Sequence, residues 1–303
     1  MLRPKKQLGQ NFLVNESILP TIIKAAEIKP GDVVIEVGPG YGVLTEPLLS
    51  AGAKVFAIEK DFDLIAGLTQ KFGNNKNLKI VHQDALFFDV DGMLASLRGA
   101  NATKQSDSSL RAQAKQSNKD RHGHDNSLAM TYKVVANLPF NIASPIIRKF
   151  LESANPPELM VLMVQKEVAE KITAKPGNRE RGILTLAVEF YGSSEIIADV
   201  PKTSFRPQPK VDAAIIKIEP FKPRTRFEGK QVESKLFFRI VKAGFSAKRQ
   251  QIHNSLTATL RLPKDQVRDI LLRSSINPTE RAEDLTLEDW INLSKTFEST
   301  TGS

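Results

Sequence analysis

Cysteine is absent from this chain of 303 residues. Disulfides and Cys-ligated zinc or iron–sulfur centres are thereby excluded, and a reducing compartment is the natural home. No apolar run approaches the roughly 18–20 residues that a membrane span needs, so no membrane partner is expected. The opening "MLRPKKQLGQNFLVN" lacks the apolar core of a secretory signal and is too short and too poor in Ser for a transit peptide. A cytoplasmic protein is the expectation. Histidine is scarce, with four in the chain. His82 falls in a strand pattern and His253 in a helical one. His122 and His124 sit in a polar tract without an evident third ligand, so no metal is expected. There is no Ser-His-Asp set and no P-loop.

Positive charge, in contrast, is plentiful. Lys and Arg number 43 against 34 Asp and Glu, a net +9. The excess is localised: residues 201 to 249 hold thirteen basic against four acidic residues, again +9, and Arg3, Lys5 and Lys6 cluster at the start. Charge concentrated in this way favours a polyanion, nucleic acid above all, over a merely solvated basic face.

From residue 32 apolar strands alternate with helix-like segments. "DVVIEVG", "KVFAIEK", "LKIVHQD", "YKVVANLPF" and "LMVLMVQ" read as strands, with "EIIADVP" and "AAIIKIEP" as a final pair. Helical periodicity fills the gaps, including "SPIIRKFLES", where Ser144 is read as the cap and Pro145 as the first helical residue. Near-continuous apolar strands separated by helices predict an α/β fold: a mostly parallel sheet covered on both faces. Beyond about residue 222 the pattern turns wholly helical, which predicts residues 1–222 as one domain and 223–303 as a small helical one. Residues 98 to 130, rich in Ser, Asn, Gln, Ala and Lys, cannot bury enough apolar surface to fold alone and read as a flexible surface insertion.

In "VIEVGPGYGVL", Gly38, Gly40 and Gly42 stand where the first of these strands turns into a helix. Glycine permits a sharp turn and a close ligand. The third Gly comes one residue too early for the G-x-G-x-x-G pattern, and Pro39 stiffens the loop. The loop makes room for a nucleoside without forming a pyrophosphate cradle; a simple tight turn is the plainer reading. Glu59 ends the next strand, where an acid can accept both hydroxyls of a ribose. Asp84 follows the third, where a carboxylate can accept from an adenine amine. The three in register point to an adenosine-containing cofactor, and S-adenosylmethionine fits better than NAD.

"KVVANLPF" ends a strand at a Pro that cannot donate to a ladder. An exocyclic adenine amine is a poor nucleophile because its lone pair is delocalised. Two acceptors holding its N–H groups would aim that lone pair at a sulfonium methyl and stabilise the charge developing on nitrogen. The Asn137 oxygen and the carbonyl of Leu138 or Pro139 are the candidates, and Phe140 supplies a stacking face worth about 1–3 kcal/mol. The plainer reading is a turn-capping Asn with Phe140 in the core.

These stretches, with "KKQLGQNFL", "AIEKD", "MVQKEVAEKI", "SFRPQPKVDAA" and "NPTERAEDLTLEDW", resemble the ribosomal RNA adenine dimethyltransferase family, and its small-subunit branch most. The resemblance covers almost the whole chain outside 98–130. It implies a Rossmann-like class I methyltransferase domain with a helical RNA-recognition domain. It also implies S-adenosylmethionine-dependent dimethylation of the N6 amine of two adjacent adenines near the 3′ end of small-subunit RNA. The partner would be an immature small ribosomal subunit, met by a monomer. The implied cofactor positions are Asn11, Leu13, Gly38, Glu59, Asp84 and Asn137, with Asn11 and Leu13 in a segment folded over the methionine end. From the residues alone "GQNFL" reads as the polar start of a first helix. Phe205 would sandwich the target base against Phe140, with Arg206 and Lys210 marking a surface near phosphates. Lys248 and Arg249 look like the family's basic helix start, which would contact RNA phosphates.

The chain departs from the family pattern at three places: Phe140 where Tyr is frequent, Ala213 where Ser is usual, and Arg181 where an aromatic is common. The tail "NPTERAEDLTLEDW" argues against a large-subunit, resistance-type relative. Retention of Glu59, Asp84 and "NLPF" argues against a non-catalytic assembly or transcription factor.

Overall fold

The structure is a computed structural model that describes Lys5 and residues 9–104, 131–221 and 232–301. Among these, the elements run β1 (Phe12–Leu13), α1 (Leu19–Ala25), β2 (Val33–Val37), α2 (Thr45–Ser50), β3 (Lys54–Glu59), α3 (Phe62–Phe72), β4 (Leu78–His82) and α4 (Val90–Lys104). Then come β5 (Lys133–Asn137), α5 (Ala143–Glu152), β6 (Leu159–Gln165), α6 (Lys166–Ile172), α7 (Ile183–Tyr191), β7 (Gly192–Val200), β8 (Phe205–Arg206) and β9 (Ala213–Pro220). The helices α8 (Ser234–Gly244), α9 (Ile252–Leu260), α10 (Lys264–Arg273) and α11 (Leu287–Thr301) follow.

Seven strands form one sheet in the order β4-β3-β2-β5-β6-β9-β7. The first five are parallel, β9 runs antiparallel to β6, and β7 runs antiparallel to β9. This is the α/β architecture that the apolar pattern predicts. Strands β2 and β3 lead outward in one direction, and the chain then returns to lay β5 on the other side of β2. The gap between β2 and β5 is therefore the topological switch point, where open α/β sheets hold ligands beyond the carboxyl ends of their strands.

Alternate residues of the buried strands feed two cores. Val34, Val55, Ala57, Val135 and Val161 face α1, α2 and the β1–β8 pair. Ile35, Val37, Phe56, Val134 and Leu162 face α5, α7 and the carboxyl-terminal helices. The helical segment thus shares the sheet's core: Phe190 of α7 stacks on Phe237 of α8 with centroids 4.3 Å apart. Such a pair adds about 0.5–1.5 kcal/mol beyond the area it buries. The change from sheet to helices comes between Pro220 and Ser234, and residues 222–231, where the boundary was expected, lie outside the described residues.

Three expectations are corrected. Helix α5 starts at Ala143, one residue ahead of Ser144, because Ile142 N–H bonds back to the Pro139 carbonyl and its own carbonyl receives Ile146 N–H. Pro145 is therefore the third helical residue, where a missing N–H still costs nothing. Residues 98–104 continue α4 instead of opening a flexible insertion; 105–130, with His122 and His124, lie outside the described residues. The stretch around Asn11 begins a strand, β1, and not a helix.

Arg181, one of the departures from the family pattern, is wholly buried. Its guanidinium grips Glu189 of α7 with two 2.7 Å bonds and donates to the carbonyls of Ala174, at 3.0 Å, and Leu285, at 3.2 Å. Nearby, Gly177 N–H reaches the Glu283 carbonyl and Lys248 reaches the Arg179 carbonyl. The fork of Arg joins the segments around Ala174 and Leu285 to α7, and its side chain is closed off from solvent. Arg181→Ala is expected to cost about 3 kcal/mol, because it strands buried acceptors as well as removing the pair. Urea unfolding checks this, and Arg181→Lys should recover only part, since one ammonium cannot reproduce the fork. A midpoint unchanged by the Ala substitution would contradict it.

Candidate active site

Strand β2 ends in Gly38, whose φ of +68° is open to glycine and strained for other residues. The chain then doubles back so that Gly40 N–H meets Glu59 Oε2 at 3.3 Å. Gly40 has a second duty. A Cβ there would lie 3.0 Å from the Phe12 ring, so its absence lets the amino-terminal segment close on the loop.

A cleft opens at this switch point, with roughly 1150 Å³ of space including its solvent-open mouth. That exceeds what a nucleoside-sized ligand fills. Asn11, Leu13, Gly38, Glu59, Asp84, Asn137, Leu138 and Pro139 all border it. Residues from five separate stretches, each singled out from sequence, are thus brought to one place.

Glu59 is buried, and its Oε1 accepts from Asp61 N–H at 2.8 Å. Burial pushes its carboxyl above the usual range, against the opposing pull of the Asp61, Gly40 and Lys60 amides. Asp84 caps the short turn Ala85–Phe87: its Oδ1 accepts from Leu86 N–H at 3.0 Å and its Oδ2 from Lys60 Nζ at 2.9 Å. Although burial works to raise the Asp84 carboxyl, Lys60 and the Leu86 amide outweigh it and hold the group low, as an anion. An acid with a partly free carboxylate at the end of β3 and an anionic one after β4 are the acceptors that ribose hydroxyls and an adenine amine require.

Strand β5 keeps its pairing with β6 as far as Leu138 N–H, which bonds to the Met163 carbonyl at 3.1 Å. Pro139 ends the ladder. Asn137 Nδ2 donates to the Asn11 carbonyl at 3.2 Å. A carbonyl can only accept, so the NH₂ of Asn137 is committed there and its Oδ1 is left for the cleft. The Pro139 carbonyl already accepts from Ile142 N–H at 3.1 Å. The Leu138 carbonyl receives no hydrogen bond among the described residues, which leaves it the better second acceptor.

The amino-terminal segment is stitched down by several bonds. Strand β1 pairs antiparallel with β8, setting Phe12 opposite Arg206 and Leu13 opposite Phe205. Lys5 Nζ bridges Asp61 at 2.5 Å and Asp63 at 2.8 Å, and Gln10 Nε2 reaches Asp61 at 2.8 Å.

Phe140 and Phe205 lie outside the cleft lining. Their rings meet edge-on, with centroids 6.3 Å apart at 69°. Phe205 is wholly buried, which corrects the expectation of a surface aromatic. In a β-strand neighbours point oppositely, so Phe205 turns inward and Arg206 outward. Arg206 and Lys210 are exposed as expected. Lys248 and Arg249 are exposed too, but they stand in the turn before α9 and not at its start. His253 is buried and donates through Nδ1 to the Pro278 carbonyl, and His82 at the exposed end of β4 lies against Phe62. Among the described residues no group of three or more ligating side chains is assembled.

The cleft also gathers Gln10, Glu36, Tyr41, Lys60 and Asn141, which sequence reasoning passed over. Glu36 carried a signal: it is the one acid inside the apolar run "VVIEV". It is buried, accepts from the Thr45 hydroxyl at 2.7 Å, and its carboxyl is pushed up to about 8 by burial, with Thr45 opposing and Glu59 adding. A raised pKa means that the folded state holds the proton more tightly. The resulting stability is fully present below the ordinary value of 4.5 and is lost as pH rises towards 8. From this group the protein should lose on the order of a few kcal/mol of unfolding free energy between about pH 5 and pH 8. Glu36→Gln should remove that dependence. Equal pH slopes for both proteins in urea unfolding would contradict it.

Comparison with known proteins places this geometry. A family model described as ribosomal RNA adenine dimethylase matches residues 1–299. Curated relatives called ribosomal RNA small subunit methyltransferase A include one from Dehalococcoides mccartyi, 39% identical over 292 residues, covering 96% of this chain and 88% of the relative. Another, from Fusobacterium nucleatum, is 40% identical over 295 residues, covering 97% of each. Among solved structures, a dimethyladenosine transferase from Plasmodium falciparum superposes with a TM-score of 0.71 at 25% identity, covering 95% of this chain and 98% of that one. The 23S rRNA methyltransferase ErmE shares the fold, with a TM-score of 0.62 at 22% identity over 95% of this chain and 100% of that one.

Proposed function

Because the chain belongs to the ribosomal RNA adenine dimethylase family, and is an S-adenosylmethionine-dependent methyltransferase of ribosomal RNA adenines, we propose that it dimethylates two adjacent adenines near the 3′ end of small-subunit RNA. The small-subunit relatives, matched nearly end to end, support that choice of RNA. The observation that carries the chemical reading is the bond from Asn137 to the Asn11 carbonyl, which leaves an amide oxygen facing the cleft beside the free Leu138 carbonyl.

The cofactor, when bound, supplies an electrophilic methyl on a sulfonium. Glu59 would hold the ribose hydroxyls, Asp84 the adenine amine, and Gly38, Asn11 and Leu13 the methionine side. On the substrate, Asn137 Oδ1 and the Leu138 carbonyl accept the two N–H groups of the N6 amine. They turn its lone pair towards the methyl and stabilise the positive charge that forms on nitrogen. Alignment supplies most of the acceleration, and the spare proton leaves afterwards to water. Phe140 offers its face to the extruded base. For Phe205 to form the other face, the edge-on pair it makes with Phe140 must open.

Lys248, Arg249, Arg206 and Lys210 would bind phosphates, which give affinity without sequence information. The reading is of a monomer acting on immature small subunits in the cytoplasm. No helix among the described residues is long and apolar enough to cross a membrane.

The decisive assay is incubation with labelled cofactor and undermethylated small subunits, followed by mapping of the modified bases. Label on two adjacent adenines near the 3′ end supports the proposal, and label confined to large-subunit RNA refutes it. Asn137→Ala should lower the single-turnover rate by about 10²–10³, as loss of one preorganised partner does elsewhere, while RNA affinity holds. Near-normal turnover would remove Asn137 from its role. Replacing Lys248 and Arg249 by Glu should weaken RNA binding most at low salt and flatten its salt dependence. Unchanged affinity would place the RNA elsewhere.

A further inference from the structure

Lys149 lies on α5, the helix that follows the Asn137–Phe140 stretch, and its ammonium is half-buried. Its Nζ donates to the carbonyls of Leu86 and Phe88, both at 2.8 Å. Among the described residues it makes no ion pair. A cation partly withdrawn from water and committed to two main-chain carbonyls is a costly way to hold a loop that sits at the surface. The cost falls on one particular loop. Leu86 is the middle residue of the turn Ala85–Phe87 and Phe88 follows it, and that turn is the one Asp84 caps through Leu86 N–H. Ala85 and Phe88 pack into the same core as Ile146 and Phe150 of α5, so the turn and the helix move together.

We infer that Lys149 is a positioning residue for cofactor recognition: by clamping the turn after β4 to α5 it aims the Asp84 carboxylate at the exocyclic amine of the cofactor's adenine. The inference rests on the reading that Asp84 accepts from that amine. It explains why two carbonyls are tied, one within the turn and one just after it. One bond would let the turn pivot, whereas two fix the direction of Leu86 N–H and with it the rotation of the Asp84 carboxyl. Lys60 on the other side of Asp84 is exposed, and an exposed ion pair fixes a carboxyl weakly. The clamp also links the adenine end of the cleft to the helix that leads away from the substrate strand, so the two ends share one rigid support.

A merely structural lysine would affect every ligand alike; a positioning lysine affects the amine contact. The experiment is calorimetric titration of S-adenosylhomocysteine, and of its counterpart with hydrogen in place of the adenine amine, into the full-length protein. The wild type should prefer the amine-bearing ligand by about tenfold or more, the size of a hydrogen bond to a charged acceptor. Lys149→Met, which keeps the stem and removes the donors, should reduce that preference to about two- to threefold while leaving the amine-free ligand within a factor of about two of the wild type. Lys149→Arg should restore most of the preference. If Lys149→Met weakens both ligands by the same factor, the inference is overturned and Asp84 keeps its role. If the wild type itself shows no preference, the reading of Asp84 falls and takes the inference with it. Should the Met variant fail to fold, Lys149→Gln, whose shorter and uncharged amide holds the two carbonyls less well, should show an intermediate preference; a wild-type preference there would overturn the inference.

Discussion

The hydrogen bond from Asn137 Nδ2 to the Asn11 carbonyl sets which atom the cleft offers to a substrate. An amide presents two donors and an acceptor on the same planar group, and nothing in its covalent structure decides which faces outward. The decision comes from a main-chain carbonyl on the other side of the cleft. That carbonyl is in place only because β1 is paired with β8 and because Lys5 and Gln10 hold the preceding segment to Asp61. The catalytic orientation of one side chain thus depends on a strand of two residues and on a carboxylate two residues beyond Glu59.

The same arrangement connects the two ligands. Asn11 and Leu13, at the start and end of the β1 segment, border the cleft, while the partner strand β8 carries Phe205, which meets Phe140. Glu59 receives the Gly40 amide and so ties the glycine loop to the end of β3, and Gly40 in turn leaves the space that Phe12 fills. Around the switch point of the sheet, each contact that shapes the cofactor site also braces the place where a purine would dock. The buried acids Glu36 and Glu59 are retained in this apolar setting at a cost in stability at neutral pH, as expected where a protein keeps polar groups for function.

Much of this was legible in the residues. Strands β2 and β6 are nearly continuous apolar runs, and burial on both faces leaves no other reading of "VVIEV" or "LMVLMVQ". Gly38, Glu59, Asp84 and Asn137 all stand at strand ends, so the parallel sheet alone brings them together. What stayed hidden was decided by tertiary partners. Strand β1 exists because of β8, beside which Asn15 bonds to Ser204 across 189 residues of sequence, and two residues carry no periodicity. Arg181 reads as a surface residue in "GNRERGIL", yet Glu189 and two carbonyls satisfy it inside. Phe205 is flanked by a cation and prolines that mark a surface, but strand alternation turns it inward. Lys149 in "IIRKFLES" looks like a solvated helix residue, since the carbonyls it holds belong to a loop about sixty positions earlier.

The account is tested most directly by a crystal structure of the protein with S-adenosylhomocysteine and an adenine nucleoside bound together. It predicts the N6 amine within about 3 Å of both Asn137 Oδ1 and the Leu138 carbonyl, with Asn137 Nδ2 still on Asn11. An amine held by other groups, or an Asn137 amide turned so that its NH₂ faces the purine, would contradict it.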